Sequence, residues 1–351
     1  MSPPPPLPEL DELLADAHVV ALPLRVRFRG VDVRETVVLR GPAGWAEFGP
    51  FPEYGDAEAA AWLRGAVDAA WHGFPAPVRS RIPVNATVPA VPVSGVAAVL
   101  AGFAGRVGAV KVKVAERGQD LDDDVARVAA VRALLPDAEL RVDANGGWDV
   151  ARALAALERL AEHRLAYAEQ PVPTVAGLAA VREGLAARGI PVLVAADESV
   201  RKETDPLAVA RAGAADLIVV KAAPLGGVRR ALGIVAQAGL PAVVSSALDS
   251  SVGIRAGLAL AAALPELPYA CGLGTVSLMR DDVLREPLRP VDGFLELRDA
   301  VPDPQLLARH AVPAPRRRWW LDRVRRVHAL LARADPQARP EARPGTRPPG
   351  G

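Results

Sequence analysis

Lysine is scarce in this chain: of its 42 basic residues four are lysines (Lys111, Lys113, Lys202 and Lys221) and the rest are arginine. Two of the four lie in the run Ala109-Val110-Lys111-Val112-Lys113-Val114, where strand alternation turns both lysines to one face and the valines to the other. Three later strand-like runs end in a carboxylate: Arg141-Val142-Asp143-Ala144-Asn145, Ala168-Glu169-Gln170-Pro171 and Ala195-Ala196-Asp197-Glu198-Ser199. The next, Leu217-Ile218-Val219-Val220-Lys221, ends in another lysine. Three carboxylates brought close together raise one another's pKa unless a cation neutralises them. Asp143, Glu169 and Asp197, with neither histidine nor thiolate beside them, suit a hard divalent ion, Mg2+ or else Mn2+.

The lysines are then not ligands but flank the ion. Arginine cannot give up its proton at accessible pH, whereas lysine can be tuned to do so. Burial, a neighbouring ammonium and a divalent cation all disfavour the charged form and lower a lysine's pKa. A base beside a Lewis acid points to proton abstraction next to a carboxylate, with the metal stabilising the resulting enediolate. One strand-end Asp or Glu is ordinarily a helix cap, and a lone lysine is ordinarily solvated. It is the joint order Lys, Asp, Glu, Asp, Lys on five consecutive runs that sets these residues apart. Lys202, within Arg201-Lys202-Glu203-Thr204-Asp205, lacks such placement and reads as surface.

These residues need a scaffold that gathers strand ends. From residue 82 onward, strand-like runs alternate with Ala/Leu/Arg-rich helical stretches: 82–88, 109–114, 139–143, 165–169, 192–197, 217–221, 242–246 and 268–272. From position 113 to 246 their polar ends recur every 24 to 30 residues, one strand plus one helix plus two loops. Eight such units close into an α/β barrel whose active site lies at the C-terminal strand ends. An open doubly wound sheet is the competing arrangement, although no G-x-G-x-x-G follows the first run. Residues 18–28 and 31–40 read as a hairpin around Arg29-Gly30, and 44–55 as an ordered loop too rich in glycine, proline and aromatics for a regular element. A helix from Asp56 to Trp71, with Asp56 as N-cap, completes a small α+β unit. Residues 281–301 suggest a return to that unit.

The chain has 351 residues, 50% apolar and 24% charged, which is the composition of a globular protein with a large core. A formal charge of +1 gives no net field for nucleic acid. The single cysteine, Cys271, excludes an internal disulfide, and five scattered histidines show no zinc spacing. The N-terminus lacks the basic and apolar regions of a secretory signal, and the uncharged stretch 231–248 is too broken to span a bilayer. The expectation is a cytoplasmic protein with neither membrane nor nucleic-acid partner, either a monomer or a homo-oligomer. Arg316-Arg317-Arg318-Trp319-Trp320 reads as the start of a docked helix rather than an RNA or membrane contact, and 334–351 as a disordered tail.

With these residues assembled, the chain resembles the enolase superfamily, in its muconate lactonising enzyme-like branch, over about residues 18–330. Lys111-Val112-Lys113, Asp143-Ala144-Asn145, Glu169-Gln170-Pro171, Asp197-Glu198-Ser199 and Lys221 carry the resemblance. It implies a (β/α)7β modified TIM barrel (82–280) with an α+β capping domain (18–81), a C-terminal return to the cap (281–333) and a flexible N-terminus (1–17). It also implies metal ligation by Asp143, Glu169 and Asp197 and a base at Lys113, the superfamily's known pattern. Within the branch, segments 83–89, 245–253, 272–275 and 44–55 are similar to the actinobacterial o-succinylbenzoate synthases of menaquinone biosynthesis. That similarity implies a hydro-lyase acting on a small-molecule carboxylate, 2-succinyl-6-hydroxy-2,4-cyclohexadiene-1-carboxylate. Lys113 would take the proton α to the ring carboxylate and then help the hydroxyl leave, Lys221 would stay charged opposite it, and Lys111 would sustain the field.

The remaining polar positions are candidates for substrate binding. Ser245, Ser246 and the backbone of Gly272, Leu273 and Gly274 stand where donors could hold the succinyl carboxylate, unless they serve ordinary turns. Asn145 joins them, and Arg141, which shares Asp143's parity, either faces the interior or pairs with an acidic neighbour. The 29–30 hairpin and the 47–54 loop act as a lid or simply pack the domains together. Two rivals remain. An N-acylamino acid racemase or dipeptide epimerase would use Lys113 and Lys221 as opposed bases, but recognition of an α-ammonium calls for an acidic pair near the eighth strand, where this chain has Cys271-Gly272-Leu273-Gly274-Thr275. A non-catalytic barrel would lack one of the five key residues, and none is missing.

Overall fold

The structure, a computed structural model, describes residues 7–28, 30–200 and 205–334. Lys202, Arg29 and the expected tail from 335 onward lie outside the described residues. The chain opens with β1 (His18–Phe28), β2 (Val31–Gly41) and β3 (Gly44–Phe48), a three-stranded antiparallel meander. The hairpin of the first two follows their alternation. The third departs from the ordered loop expected there. Trp45 to Phe48 pair with Val37 to Arg40, and Ala46 and Phe48 enter the same core as Val37 and Leu39. An adjacent strand that supplies both backbone partners and an apolar face outweighs glycine and aromatic content.

The helix Asp56–His72 buries Trp62, Leu63, Ala66 and Val67 under this sheet, and its N-cap is Gly55 rather than Asp56. Asp56 is thereby free to pair with Arg326, at 2.7 Å. The C-terminal helix Ala314–Ala334 joins the same core through Trp320, Val324, Val327 and Leu331, a stripe at helical spacing. Trp320 Nε1 donates to Glu35 Oε2 at 2.9 Å, so the arginine- and tryptophan-rich segment is docked on the cap. Order also begins earlier than the expected flexible stretch to residue 17: a short helix, Leu10–Leu14, buries Leu13 against the cap.

After β4 (Arg81–Pro83), the barrel strands are β5 (Ala86–Val88), β6 (Ala109–Lys113), β7 (Glu139–Asp143), β8 (Leu165–Glu169), β9 (Leu193–Ala196), β10 (Leu217–Val220) and β11 (Ala242–Val244). β5 to β11 form one parallel sheet in sequence order. The eighth position is held by Cys271 and Gly272, which bridge in parallel to Val84 on one side and Ser245 on the other. The amide of Asn85 donates to the Cys271 carbonyl at 3.0 Å and that of Ser246 to Gly272 at 3.1 Å, closing the circle and excluding the open sheet. The run 82–88 is divided: 81–83 pairs antiparallel with β12 (Phe294–Glu296), and only 86–88 enters the barrel. The segment around residue 294 therefore seals the barrel's entry strand, and the chain rejoins the cap later, where Ala311 bridges to Val20.

Inside the barrel, Tyr167, Ala195, Leu217, Val219 and Val243 form a core of their own, all at odd positions. That alternation directs Lys111, Lys113, Asp143, Glu169 and Lys221 to the same interior, above this plug. Among the described residues no helix is long and apolar enough to cross a membrane.

Candidate active site

Lys113, Asp143 and Glu169 are direct neighbours across β6, β7 and β8, while Asp197 and Lys221 follow β9 and β10 immediately. One carboxylate oxygen from each of Asp143, Glu169 and Asp197 lies within 4.8 Å of the others. All three are essentially removed from solvent, at 0%, 1% and 2% exposure, so their charges are not screened by water. The lysines interleave with them. Lys111 Nζ reaches Glu169 at 2.7 and 2.9 Å and Asp143 at 2.9 Å, Lys113 reaches Asp143 Oδ2 at 2.5 Å, and Lys221 reaches Asp197 Oδ2 at 2.5 Å. β6 and β10 occupy the second and sixth of eight positions, which sets Lys113 and Lys221 on opposite sides of the opening.

Burial alone would push every one of these carboxyls up. At Asp143 the ammoniums of Lys111 and Lys113 overcome it and hold the carboxyl well below its usual range, and at Asp197 Lys221 does the same. At Glu169 burial and the neighbouring Asp143 win, and its pKa is pushed up to about 8. Lys111 departs from the expectation of a lowered lysine. Burial does favour its neutral form, but Asp143 and Glu169 more than compensate and raise it. Lys111 is thus a fixed cation, suited to sustaining a field and unsuited to acting as a base.

The residues fit a divalent cation. The donors are oxygen only, buried and convergent, and burial together with Asp143 drives the third acid toward protonation, which a cation would reverse. Even with one lysine deprotonated to act as a base, a bound divalent ion would leave the site net positive, which suits an anionic substrate.

The other expected residues divide. Ser245, Ser246 and Gly272 line the cavity above the triad. Ser246 Oγ donates to the Gly272 carbonyl at 2.9 Å and is hydrogen-bonded to Thr275 Oγ1 at 2.9 Å. A Cβ at Gly272 would come within 2.5 Å of Ser245 Oγ, so only glycine leaves that hydroxyl in place. Leu273 is fully buried against Gly257, and Gly274 sits under the Asn85 carbonyl and Phe103, so neither faces the cavity; Thr275 does. Asn145, in a left-handed conformation (φ 46°), accepts from Lys113 Nζ at 2.7 Å and donates to Glu198 Oε1 at 3.0 Å. It orients the lysine. Arg141 satisfies both of its expected readings but not a substrate contact: fully buried, it donates to Tyr167 Oη at 2.9 Å and to the Ala270 carbonyl at 2.7 Å and pairs with Glu139, in the plug beneath the triad.

The cap supplies the roof through Phe28, Phe51, Tyr54, Glu58 and Trp62, and Lys113 Nζ lies 5.3 Å from the Phe28 ring centroid. Phe51 and Tyr54 fall in the anticipated lid; Phe28, Trp62 and Thr87 were missed. For Thr87, paired with Lys111 across β5 and β6, the one available signal was a hydroxyl within an apolar run.

Beside the cavity, Glu47 of β3 accepts from the backbone N–H of Ser250 at 3.1 Å and from its hydroxyl, at the start of the helix Ser251–Ala263. Burial, then Asp249, push Glu47 up to about 8 against the pull of Arg34 and Ser250. A carboxyl whose folded pKa exceeds its unfolded one favours folding fully below about 4.5 and loses that contribution as pH rises through about 8. Glu47→Gln should therefore match the wild type in thermal stability near pH 5 and exceed it progressively toward pH 8.5, with divalent metal saturating throughout. Parallel melting curves across that interval would contradict the assignment.

Residues 96–302 match the enolase C-terminal domain-like family and residues 19–70 the enolase N-terminal domain-like family. The chain is 59% identical over 326 residues to an o-succinylbenzoate synthase of Mycolicibacterium smegmatis, covering 93% of this chain and 99% of that protein. It is 56% identical over 326 residues to the o-succinylbenzoate synthase of Mycobacterium leprae, covering 93% and 95%. Among solved structures, the fold is similar to muconate lactonizing enzyme from Pseudomonas fluorescens complexed with muconolactone, with a TM-score of 0.73 at 23% identity over 84% of this chain and 98% of that one. Muconate lactonizing enzyme from Pseudomonas putida gives a TM-score of 0.69 at 22% identity over 85% and 98%.

Proposed function

The chain belongs to the enolase superfamily, and from that membership we propose that it catalyses the o-succinylbenzoate synthase reaction, dehydrating 2-succinyl-6-hydroxy-2,4-cyclohexadiene-1-carboxylate to 2-succinylbenzoate in menaquinone biosynthesis. The observation that carries this reading is a pair of lysines on opposite sides of a cavity lined by Asp143 and Asp197, which converge with Glu169 in a buried triad. Asp143, Glu169 and Asp197 would hold Mg2+, or Mn2+ in its place, and the ion when bound would supply Lewis-acid stabilisation of charge on the substrate carboxylate.

The chain's own residues do the rest. Lys113, as the free amine, takes the proton from the carbon bearing the ring carboxylate. The electron pair left behind expels the hydroxyl two atoms away, the new ammonium of Lys113 returns its proton to that oxygen, and water leaves an aromatic ring. Lys221, an ammonium on the far side, offsets the negative charge as it builds and faces the ring as a cation. Lys111 keeps the field positive without exchanging its proton. Asn145 holds Lys113 in place, and Ser245, Ser246 and the backbone at Gly272 offer donors for the succinyl carboxylate. Phe28, Phe51, Tyr54 and Trp62 keep bulk water from the reacting carbon. We assign the reaction to the cytoplasm, where a biosynthetic enzyme with a single buried thiol, Cys271, needs no disulfide.

Purified protein with Mg2+ should form 2-succinylbenzoate from the cyclohexadiene substrate and stop when the ion is chelated. Brisk racemisation of N-succinyl amino acids with no dehydration would replace this reading with the racemase one.

A further inference from the structure

We propose that Arg34, on the cap, is the positioning residue that ties the lid loop to the barrel loop 245–250, so that two walls of the substrate cavity are set together. The proposal rests on the dehydratase reading only for its kinetic arm. Arg34 is 1% exposed, although it lies on β2 and far from the carboxylate triad's strands in sequence. Its Nε donates to the Leu248 carbonyl at 3.1 Å, a second nitrogen donates to the Gly49 carbonyl, and its guanidinium lies 4.4 Å from the Phe51 ring centroid. Leu248 and Phe51 both line the cavity.

Each end of this clamp has local reasons to need it. Leu248 adopts a left-handed conformation, φ 62°, which a branched side chain rarely takes unless its surroundings hold it there. Its carbonyl is fixed by Arg34 and, two residues on, Ser250 is fixed by Glu47, so both anchors of the loop come from the cap. On the lid side, a Cβ at Gly49 would lie 2.9 Å from the guanidinium and 3.0 Å from Glu47 Oε1, so glycine lets the lid backbone close on the cluster. Burial raises the carboxyls of Glu47 and Asp249, and Arg34 pulls both back down, which places its guanidinium among them. The planar fork matters: one rigid group donates to the carbonyls of both loops while its guanidinium stands over an aromatic ring, which an ammonium cannot do.

The test compares the wild type, Arg34→Lys, Phe51→Leu and the double variant, all as full chains. Arg34→Lys keeps the charge and loses the fork. Amide hydrogen exchange without substrate should quicken together in peptides covering 48–55 and 245–252, with the barrel strands unchanged. Exchange that is unaltered, that changes in one loop only, or that rises throughout the protein overturns the clamp, whatever the reaction proves to be. With substrate, KM should rise about tenfold, the scale of a lost charge-assisted hydrogen bond, while kcat changes much less. Adding Phe51→Leu should raise KM by less than the product of the two single effects. Multiplicative effects, or a fall in kcat at constant KM, would show that Arg34 does not act through the lid. A wild type that fails to turn over the substrate sinks the reaction assignment alone, because the exchange arm still decides the clamp.

Discussion

Glu169→Gln is expected to abolish turnover and weaken divalent-ion binding at least about a hundredfold, while the metal-free variant matches the wild type in stability near pH 5 and exceeds it toward neutrality. The two halves of this result have one cause. Glu169 is buried between two other carboxylates and pushed up to about 8, so near neutrality without metal it spends much of its time as the uncharged acid that glutamine imitates. Its ionisation costs the folded state stability, and only a cation offsets that cost. Lys111 keeps its second partner, Asp143, at 2.9 Å, so the substitution does not strand a buried ammonium. Calorimetric titration with Mg2+ and thermal melting under chelation read the two halves separately. Retained metal affinity would remove Glu169 from the ligand set, and a collapse in metal-free stability would make it a structural residue.

The constellation at the strand ends is legible in sequence because two simple periods coincide. Alternation within β6 commits Lys111 and Lys113 to one face, and the regular strand-helix interval commits Asp143, Glu169, Asp197 and Lys221 to the same end of the barrel. The structure brings these six side chains together. Sequence reasoning weakens where the chain leaves its strands. After Gly272 it winds into a 3-10 turn, Gly274–Leu278, which buries Leu273 and Gly274 and returns Thr275 to the cavity, an outcome that no local pattern encodes. Arg141 shares parity with Asp143 but sits two residues lower, enough to place it in the plug with Tyr167. The strand Gly44–Phe48 exists because Val37 to Gly41 is there to pair with it. Arg34 was one arginine among many until the fold set it against Leu248, more than 200 residues later. Contacts of that range are fixed by how the cap sits on the barrel.

The central claim is a division of labour between two opposed lysines, one needed for a removable proton and the other for its charge. Arginine separates the two needs, since it retains the charge and does not give up its proton. Lys113→Arg should therefore lower kcat by about four orders of magnitude, the upper range for loss of a general base, with metal binding intact. Its partners, Asp143 and Asn145, accept hydrogen bonds and can receive a guanidinium, so the fold should survive. Lys221→Arg preserves a cation opposite Asp197 and should stay within about a hundredfold of the wild type. The decisive measurement is kcat for formation of 2-succinylbenzoate by Lys113→Arg and Lys221→Arg side by side at saturating Mg2+. A far deeper loss at Lys113 is the predicted result; equal losses, or the deeper loss at Lys221, would contradict the assignment of Lys113 as the base.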